Sequence, residues 1–534
     1  MNTGGISDTR GVPDPGAPTP DRDRLADRIA RMAAITDGVP GTGCERLAFG
    51  PGEHAAHREF SRQAREAGLT VEHDRFGNTF ARLEVSPGGV EEMRTPGVDA
   101  GSGAGAAPIS GAAAPTPEEG AAPISGAATS TPDSAAGASA TTPAILCGSH
   151  LDTVAAGGCY DGAAGVLCAL EAVTTIAEAQ RRGEIALTAP IEVVVWANEE
   201  GARFAPAMMG SAVYTGALRL EEALTATDRE GVVLGDALAG DPDRTGPRRV
   251  PGPVPRCYLE LHIEQARTLE NRGLPLAVVD GVQAQIAGDW EMRGREDHAG
   301  ATPMNERVDA LVAAASLVAR TKEIAGGDTP FHATLRGVAT VGALTVRPGS
   351  RNSIPGVVTG TIDMRHPEED RVASMATAFV AAGNDAAAAE GAAFRYTELW
   401  RAPKVTFDAD LVDRLERAAQ RLGVPHTTFP SAAGHDAVHL QQICPAAMLF
   451  VPSRDGVSHN PAEYTDPESL FDATRVLTVA LAEIASAGNN GGGGTSGNAA
   501  HRASAPAPEH RAGGAAHRTS SPAPRHNPRR KETL

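Results

Sequence analysis

Apolar residues in this chain come in short unbroken runs, each closed by a polar, glycine-bearing turn and followed by apolar residues at helical spacing. Ala144, Ile145, Leu146 and Cys147 form one such run and give way to Gly148-Ser149-His150-Leu151-Asp152-Thr153. Beyond Tyr160-Asp161-Gly162, residues Val166, Leu167, Leu170 and Val173 repeat with the period of a helix face. Ile191 to Trp196 is a β-branched run suited to a central parallel strand, and it ends in Ala197-Asn198-Glu199-Glu200-Gly201. Cys257 to Leu261 predicts a third strand that delivers His262, with Glu264 and Gln265 just beyond; Ala446 to Val451 predicts a fourth. Strand, polar turn and helix in succession is how an open α/β sheet presents chemistry at its strand ends.

The flanking pattern fills in the rest. Leu25, Ile29 and Met32 share a helix face, and Glu53 to Ala67 reads as a helix stopped by Gly68. Strands are predicted at Leu69 to Glu72 and Thr79 to Leu83, and a closing helix starts at Pro467 with Asp466 as its cap. From about Gly281 the character changes. Asp289 to Arg293, His332 to Val346, Val357 to Arg365 and Phe394 to Trp400 read as strands, with helices at Arg307 to Ala325 and Glu369 to Ala389. That βαββαβ order predicts a two-layer, ferredoxin-like unit inserted at 281–402 into an α/β domain formed by 22–280 and 403–487, whose central sheet is mostly parallel and flanked by helices.

Composition trims this picture. Of 534 residues, 60 are Gly and 39 Pro, and they crowd into residues 1–21, about 86–143 and 488–534. Such segments cannot bury enough apolar surface to offset their ordering entropy, so two disordered tails and a disordered surface insertion, dispensable for chemistry, are expected. Within the insertion Ala-Ala-Pro-Ile-Ser-Gly-Ala-Ala occurs at 106 and again at 121. A net charge of −18 argues against nucleic acid as a partner. Six cysteines without paired spacing predict no disulfide framework and a reducing compartment. No N-terminal run is apolar enough for a signal peptide or a membrane span, so a cytoplasmic protein without a membrane partner is expected.

His150, Asp152 and Asp161 at one strand end are ligand types for zinc, cobalt or manganese, although a turn-capping His and two helix-capping Asp residues would read the same way. The Glu199-Glu200 pair at a second strand end tips the balance, because one Glu can ligate while its neighbour holds an attacking water as general base. His262 repeats the placement a third time. The polar turns of the inserted unit carry His298, Asn352 and Arg365, and Gly434-His435-Asp436-Ala437 and Ser458-His459-Asn460-Pro461-Ala462-Glu463 follow.

In this order, GSHLDTV with GGCYDGAAGV, WANEEGARF with MMGS, ELHIEQ, DHAGATPM, RNSIPG, DMR, GHDA and SHNPAEY resemble the amidase, hydantoinase and carbamoylase branch of the dinuclear metallopeptidase superfamily. The likeness covers about 22–85 and 144–487; the insertion and the tails depart from the family pattern. It implies two divalent ions per subunit, zinc first, with manganese, cobalt or nickel as alternatives. His150 would bind one ion, Asp161 would bridge both, and Glu200 and His459 would serve the second. His262 would also ligate, where peptidase relatives place a carboxylate. Asp152 would buttress the His150 imidazole, and Glu199 would be the base. Arg365 would clamp a substrate carboxylate with Asn352 and Gln265 as polar companions, against the competing reading of a salt bridge to Asp363 or Glu368. His298 would stabilise the oxyanion, reaching with Asn352 into the other subunit's site of a homodimer. The implied activity is hydrolysis of N-carbamoyl-L-amino acids or related ureido acids, with allantoate or ureidoglycolate as the alternative. A peptidase or deacylase is disfavoured by His262, and a silent binding protein by Glu199.

Overall fold

Four strands buried on both faces make the middle of the larger sheet, and their register explains their all-apolar sequences. Ile191–Trp196, Ile145–His150, Cys257–Ile263 and Ala446–Val451 lie side by side and run parallel. Successive side chains alternate between two cores. Ile145, Cys147, Val193, Val195, Leu259 and Leu261 pack with the helices Ala163–Arg181 and Pro467–Ser486 on one face. Leu146, Val194, Trp196 and Tyr258 join Phe80, Tyr214 and Phe450 on the other. These contacts belong to a computed structural model that describes residues 17–39, 43–85, 142–326 and 337–486. The expected disorder of the tails and insertion, and residues 332–336 of the strand expected at His332 to Val346, lie outside those residues; the described part of that stretch is two short strands, Val338–Thr340 and Leu344–Arg347.

The sheet edges are antiparallel. Thr79–Leu83 pairs with Ile191–Trp196 and with Thr70–His73. On the other side Leu276–Val282 pairs antiparallel with Ala446–Val451 and Val405–Thr406, and parallel with His426–Ser431. Gly148 lets two central strands approach closely: its φ is +149°, and a β-carbon there would meet the Val194 carbonyl oxygen at 1.9 Å. Leu83 and Ile145 both align with Ile191, so the described chain leaves at Val85 and returns at Thr142 beside the amino ends of the central strands.

A second sheet orders Leu344–Arg347, Val357–His366, Ala284–Arg293 and Ala393–Ala402 as antiparallel neighbours, with Val338–Thr340 also paired to Val357–His366. Its strands alternate buried and open positions because only one face is covered, by Ala310–Ile324 and Glu369–Ala389. Ile286, Trp290, Met292, Ile362, Met364 and Phe379 form that separate core. The strand that begins at Ala284 is longer than the Asp289 start predicted from polarity. No described helix is long and apolar enough to cross a membrane.

Candidate metal centre

Parallel alignment brings three strand ends to one edge. His150 ends its strand opposite Trp196, so Glu199 and Glu200 emerge from the adjacent strand end. His262 sits opposite Phe450, one residue from the end of Cys257–Ile263. Asp161 comes from the turn before helix Ala163–Arg181, and His459 from the loop after Ala446–Val451, held at a φ of +54°.

Asp161 is the centre of the arrangement. Its Oδ1 lies 3.2 Å from His262 Nε2 and 3.7 Å from His150 Nε2. Its Oδ2 lies 3.3 Å from His459 Nε2, which is also 3.3 Å from Glu200 Oε2. Two triads, His150-Asp161-His262 and Asp161-Glu200-His459, therefore share one carboxylate, with the potential ligand atoms of each within 4.8 Å of one another. This donor set fits two divalent ions.

The surroundings orient these groups. His150 Nδ1 is 3.0 Å from the backbone carbonyl of Asp152, while the Asp152 carboxylate accepts from the Glu199 and Glu200 amides at 3.1 Å each. The Asp152 main chain thus bonds the imidazole, while its carboxylate, with Oδ1 3.6 Å from the same His150 nitrogen, also holds the loop of the Glu pair. The sequence assigns that buttress to Asp152 but does not say which of its groups provides it. Gln265, at a φ of +58°, donates to Asp161 Oδ2 at 2.8 Å. Ser458 Oγ lies 2.9 Å from the same oxygen and 3.0 Å from Glu463 Oε2. Glu463 Oε1 accepts from the backbone amides of Tyr160 and Asp161 at 2.9 and 3.0 Å. A β-carbon on Gly158 would come within 2.0 Å of that oxygen, so the bare backbone there is required. Ser458 and Glu463 were quoted in a motif but given no role, although the SHNPAEY spacing around His459 was the available signal. Glu260 and His435 approach His262 too, but protein groups satisfy them: Glu260 accepts from Ser149 Oγ and Ala437 N, and His435 Nε2 is 3.0 Å from Ser431 Oγ.

Electrostatics bears on what this site can hold. Burial, then the charge of Asp161, pushes the Glu200 carboxyl up to about 8, and burial followed by Glu53 pushes Asp152 up to about 7. Burial and then Asp436 hold Glu199 well above the carboxylate range. Burial opposes ionisation of Asp161, but hydrogen bonds from His262 and His459 outweigh it and hold that carboxyl far below its ordinary value. Glu200 Oε1 is buried without a hydrogen-bond partner. So many carboxylates gathered in a largely buried site favour cations, and the donor set fits them. Glu199 belongs to neither triad; its Oε2 lies 3.5 Å from His150 Nε2.

The inserted unit contributes at its rim. Asp297–His298 and Ser353–Ile354 form a short ribbon, so His298 and Asn352 are neighbours, with Ala299 N donating to Asn352 O at 2.9 Å. Nδ1 of His298 accepts from the amides of Gly300 and Ala301 at 3.1 Å each, which leaves the ring proton on an exposed Nε2. Among the described residues no hydrogen bond or ion pair joins His298 or Asn352 to the triads. Arg365 pairs with Asp363 at 2.8 Å, as the competing reading anticipated, and also donates from Nη1 to the Ala432 carbonyl at 2.8 Å. That loop leads to His435, whose ring centroid is 4.5 Å from that of His262.

Residues 146–483 match peptidase family M20/M25/M40. An N-carbamoyl-L-amino acid amidohydrolase of Geobacillus stearothermophilus is 35% identical over 460 residues, 85% of this chain and 96% of that protein. A ureidoglycolate hydrolase of Arabidopsis thaliana is 32% identical over 64% of this chain and 72% of its own length. The crystal structure of a hydantoinase/carbamoylase family amidase from Burkholderia ambifaria superimposes with a TM-score of 0.70 at 36% identity, covering 88% of this chain and 98% of that one. The chain is a hydrolase belonging to peptidase family M20/M25/M40, in the branch whose solved members are described as hydantoinase/carbamoylase amidases.

Proposed function

We propose that this enzyme hydrolyses the carbamoyl C–N bond of N-carbamoyl-L-amino acids or closely related ureido acids. The observation that carries the reading is one carboxylate, Asp161, shared by two triads, with Glu199 beside them as a carboxylate neither triad uses. His262 in place of a third carboxylate supports the ureido branch over a peptidase, and so do relatives named for N-carbamoyl-L-amino acids. Relatives named allantoate deiminase and ureidoglycolate hydrolase support the second reading, a ureide of the allantoate type.

Two divalent ions held by His150, Asp161, His262, Glu200 and His459 would supply Lewis acidity and lower the pKa of bound water, with zinc, manganese, cobalt or nickel all compatible with these donors. Glu199 takes the proton from the attacking water and returns it to the leaving nitrogen as the C–N bond breaks. Arg365, held by Asp363 and the Ala432 carbonyl next to the loop leading to His435, binds the substrate carboxylate through the Nη hydrogens these partners leave over, with Asn352 and Gln265 as polar contacts. His298 presents its Nε2–H to the oxyanion, and it serves the partner subunit's site in a homodimer, a reading supported by there being, among the described residues, no hydrogen bond or ion pair that joins it to the triads of its own chain. Metal stoichiometry together with ammonia release from N-carbamoyl-L-amino acids, N-carbamoyl-β-alanine and allantoate tests the reading. Two ions per subunit and turnover of the N-carbamoyl-L-amino acids are expected; no ammonia from any of them would overturn it.

A further inference from the structure

We propose, on the reading of the substrate as an N-carbamoyl amino acid, that Met208 is a specificity-determining residue. Its thioether walls the place where the substrate's side chain leaves the reacting centre, and it selects side chains that are extended and apolar.

Two motifs of the sequence, MMGS and GHDA, supply none of the metal ligands, yet they meet in the fold. Met208 stands at a φ of +56°, in the left-handed region that residues with a β-carbon rarely occupy. Asn198 and Gly201, at +54° and +64°, share that region in the same loop. Hydrogen bonds hold the conformation from several sides. Met208 N donates to the Glu199 carbonyl at 2.7 Å, Met209 N to the Asn198 carbonyl at 3.2 Å, and Asn198 Nδ2 to the Phe204 carbonyl at 2.8 Å. Met208 thus precedes helix Met209–Thr215 one hydrogen bond away from the main chain of the base. Unusual backbone held this firmly concentrates at functional sites.

Gly434 shows where the Met208 side chain ends. A β-carbon on Gly434 would stand 3.3 Å from Met208 Cε and 3.5 Å from its Sδ, so the tip of the thioether lies against the bare face of that glycine. Two residues before Gly434, the Ala432 carbonyl accepts from Arg365 Nη1 at 2.8 Å. One residue after it, the His435 ring has its centroid 4.5 Å from that of His262. Met208 therefore touches the segment that joins the carboxylate-binding arginine to a metal ligand. In an N-carbamoyl amino acid, Cα is bonded both to the carboxylate carbon and to the carbamoyl nitrogen. With the carboxylate on Arg365 and the carbamoyl carbon at the triads, Cα lies along that segment and its side chain departs beside the thioether. Met208 is partly exposed, so it has surface to offer a ligand. A thioether is unbranched and polarizable; it conforms to an alkyl or thioether chain and gives a ureide group no partner.

The test is kcat/KM of the metal-loaded full-length enzyme on N-carbamoyl-L-methionine and N-carbamoylglycine, which differ only in the side chain. The wild type should prefer the methionine derivative by at least about tenfold, and Met208→Ala should lower that ratio about tenfold. Met208→Gln, similar in length but polar, should lower it too, whereas Met208→Leu should hold it within about threefold. The two compounds titrated calorimetrically into Glu199→Gln, with and without the Met208 substitutions, should show the same ratios in Kd. A residue that only packs its loop would move both substrates alike. A ratio left unchanged by Met208→Ala and Met208→Gln would overturn the proposal; if the Ala variant does not fold, the contrast between Gln and Leu decides. No turnover of either compound by the wild type would overturn the substrate reading itself, and the role of Met208 with it.

Discussion

Glu463→Ala should loosen metal binding without unfolding the protein. In the folded chain the carboxylate accepts two backbone amides, those of Tyr160 and Asp161, and lies 3.0 Å from Ser458 Oγ. One side chain therefore connects the turn that carries Asp161 to the loop that carries His459, across about three hundred residues. Hydrogen bonds to a charged acceptor contribute about 1.5–3 kcal/mol each, and water entering the space left behind would recover part of that. A net local cost of about 3 kcal/mol would correspond to roughly a hundredfold in an equilibrium constant, near the 10–100-fold typical of groups that orient ligands from behind. Glu463→Gln keeps an oxygen for both amides, and Ser458 can turn its hydroxyl to accept from the new amide, so the loss there should be under about tenfold. Competition against a chromophoric chelator gives the affinity, and denaturant unfolding of the metal-free proteins controls for global damage. Wild-type affinity in the Ala variant, or equal losses in both variants, would refute the reasoning.

Glu199→Gln should retain two ions and the fold while turnover drops about 10²–10⁴-fold; near-normal turnover removes it as the base. His298→Ala and Arg365→Ala should each be poorly active, yet regain part of the activity when mixed as heterodimers; no recovery would count against cross-subunit catalysis. Acid should destabilise the metal-free protein through His57, whose imidazole is held down to about 4, by burial first and by Arg244 second. The unfolded chain takes up that proton below its ordinary value of 6.5, the folded chain only below about 4. Stability is therefore fully present above the unfolded value and is lost as pH falls through that window, by about 3 kcal/mol at roughly 1.4 kcal/mol per unit. Urea midpoints at pH 7 and pH 5 in wild type and His57→Asn measure it, and an equal decline in both would rule His57 out.

The sequence announced its chemistry most clearly where both faces of a strand are buried. Ile145–His150, Ile191–Trp196, Cys257–Ile263 and Ala446–Val451 are read directly from their apolar runs, and the ligand-type residues follow at the ends. Leu276–Val282 escaped notice because Asp280 and Gly281 interrupt it just where the pattern changes to the second sheet. His426–Ser431 escaped because an edge strand tolerates its Thr, Pro and Ser residues. The reach of the Asp152 carboxylate to the amides of the Glu loop, with its main chain bonded to the imidazole, depends on a turn geometry that residue types do not encode. The ties of Glu463 to Tyr160 and of Met208 to Gly434 span far too many positions for spacing to reveal them; only the folded sheet brings them together.

The exit at Val85 and the return at Thr142 flank the amino ends of strands whose opposite ends carry His150 and the Glu pair. The full length of the sheet stands between that doorway and the reaction chamber. That separation makes the doorway a natural place to graft a reporter or a tether onto the hydrolase.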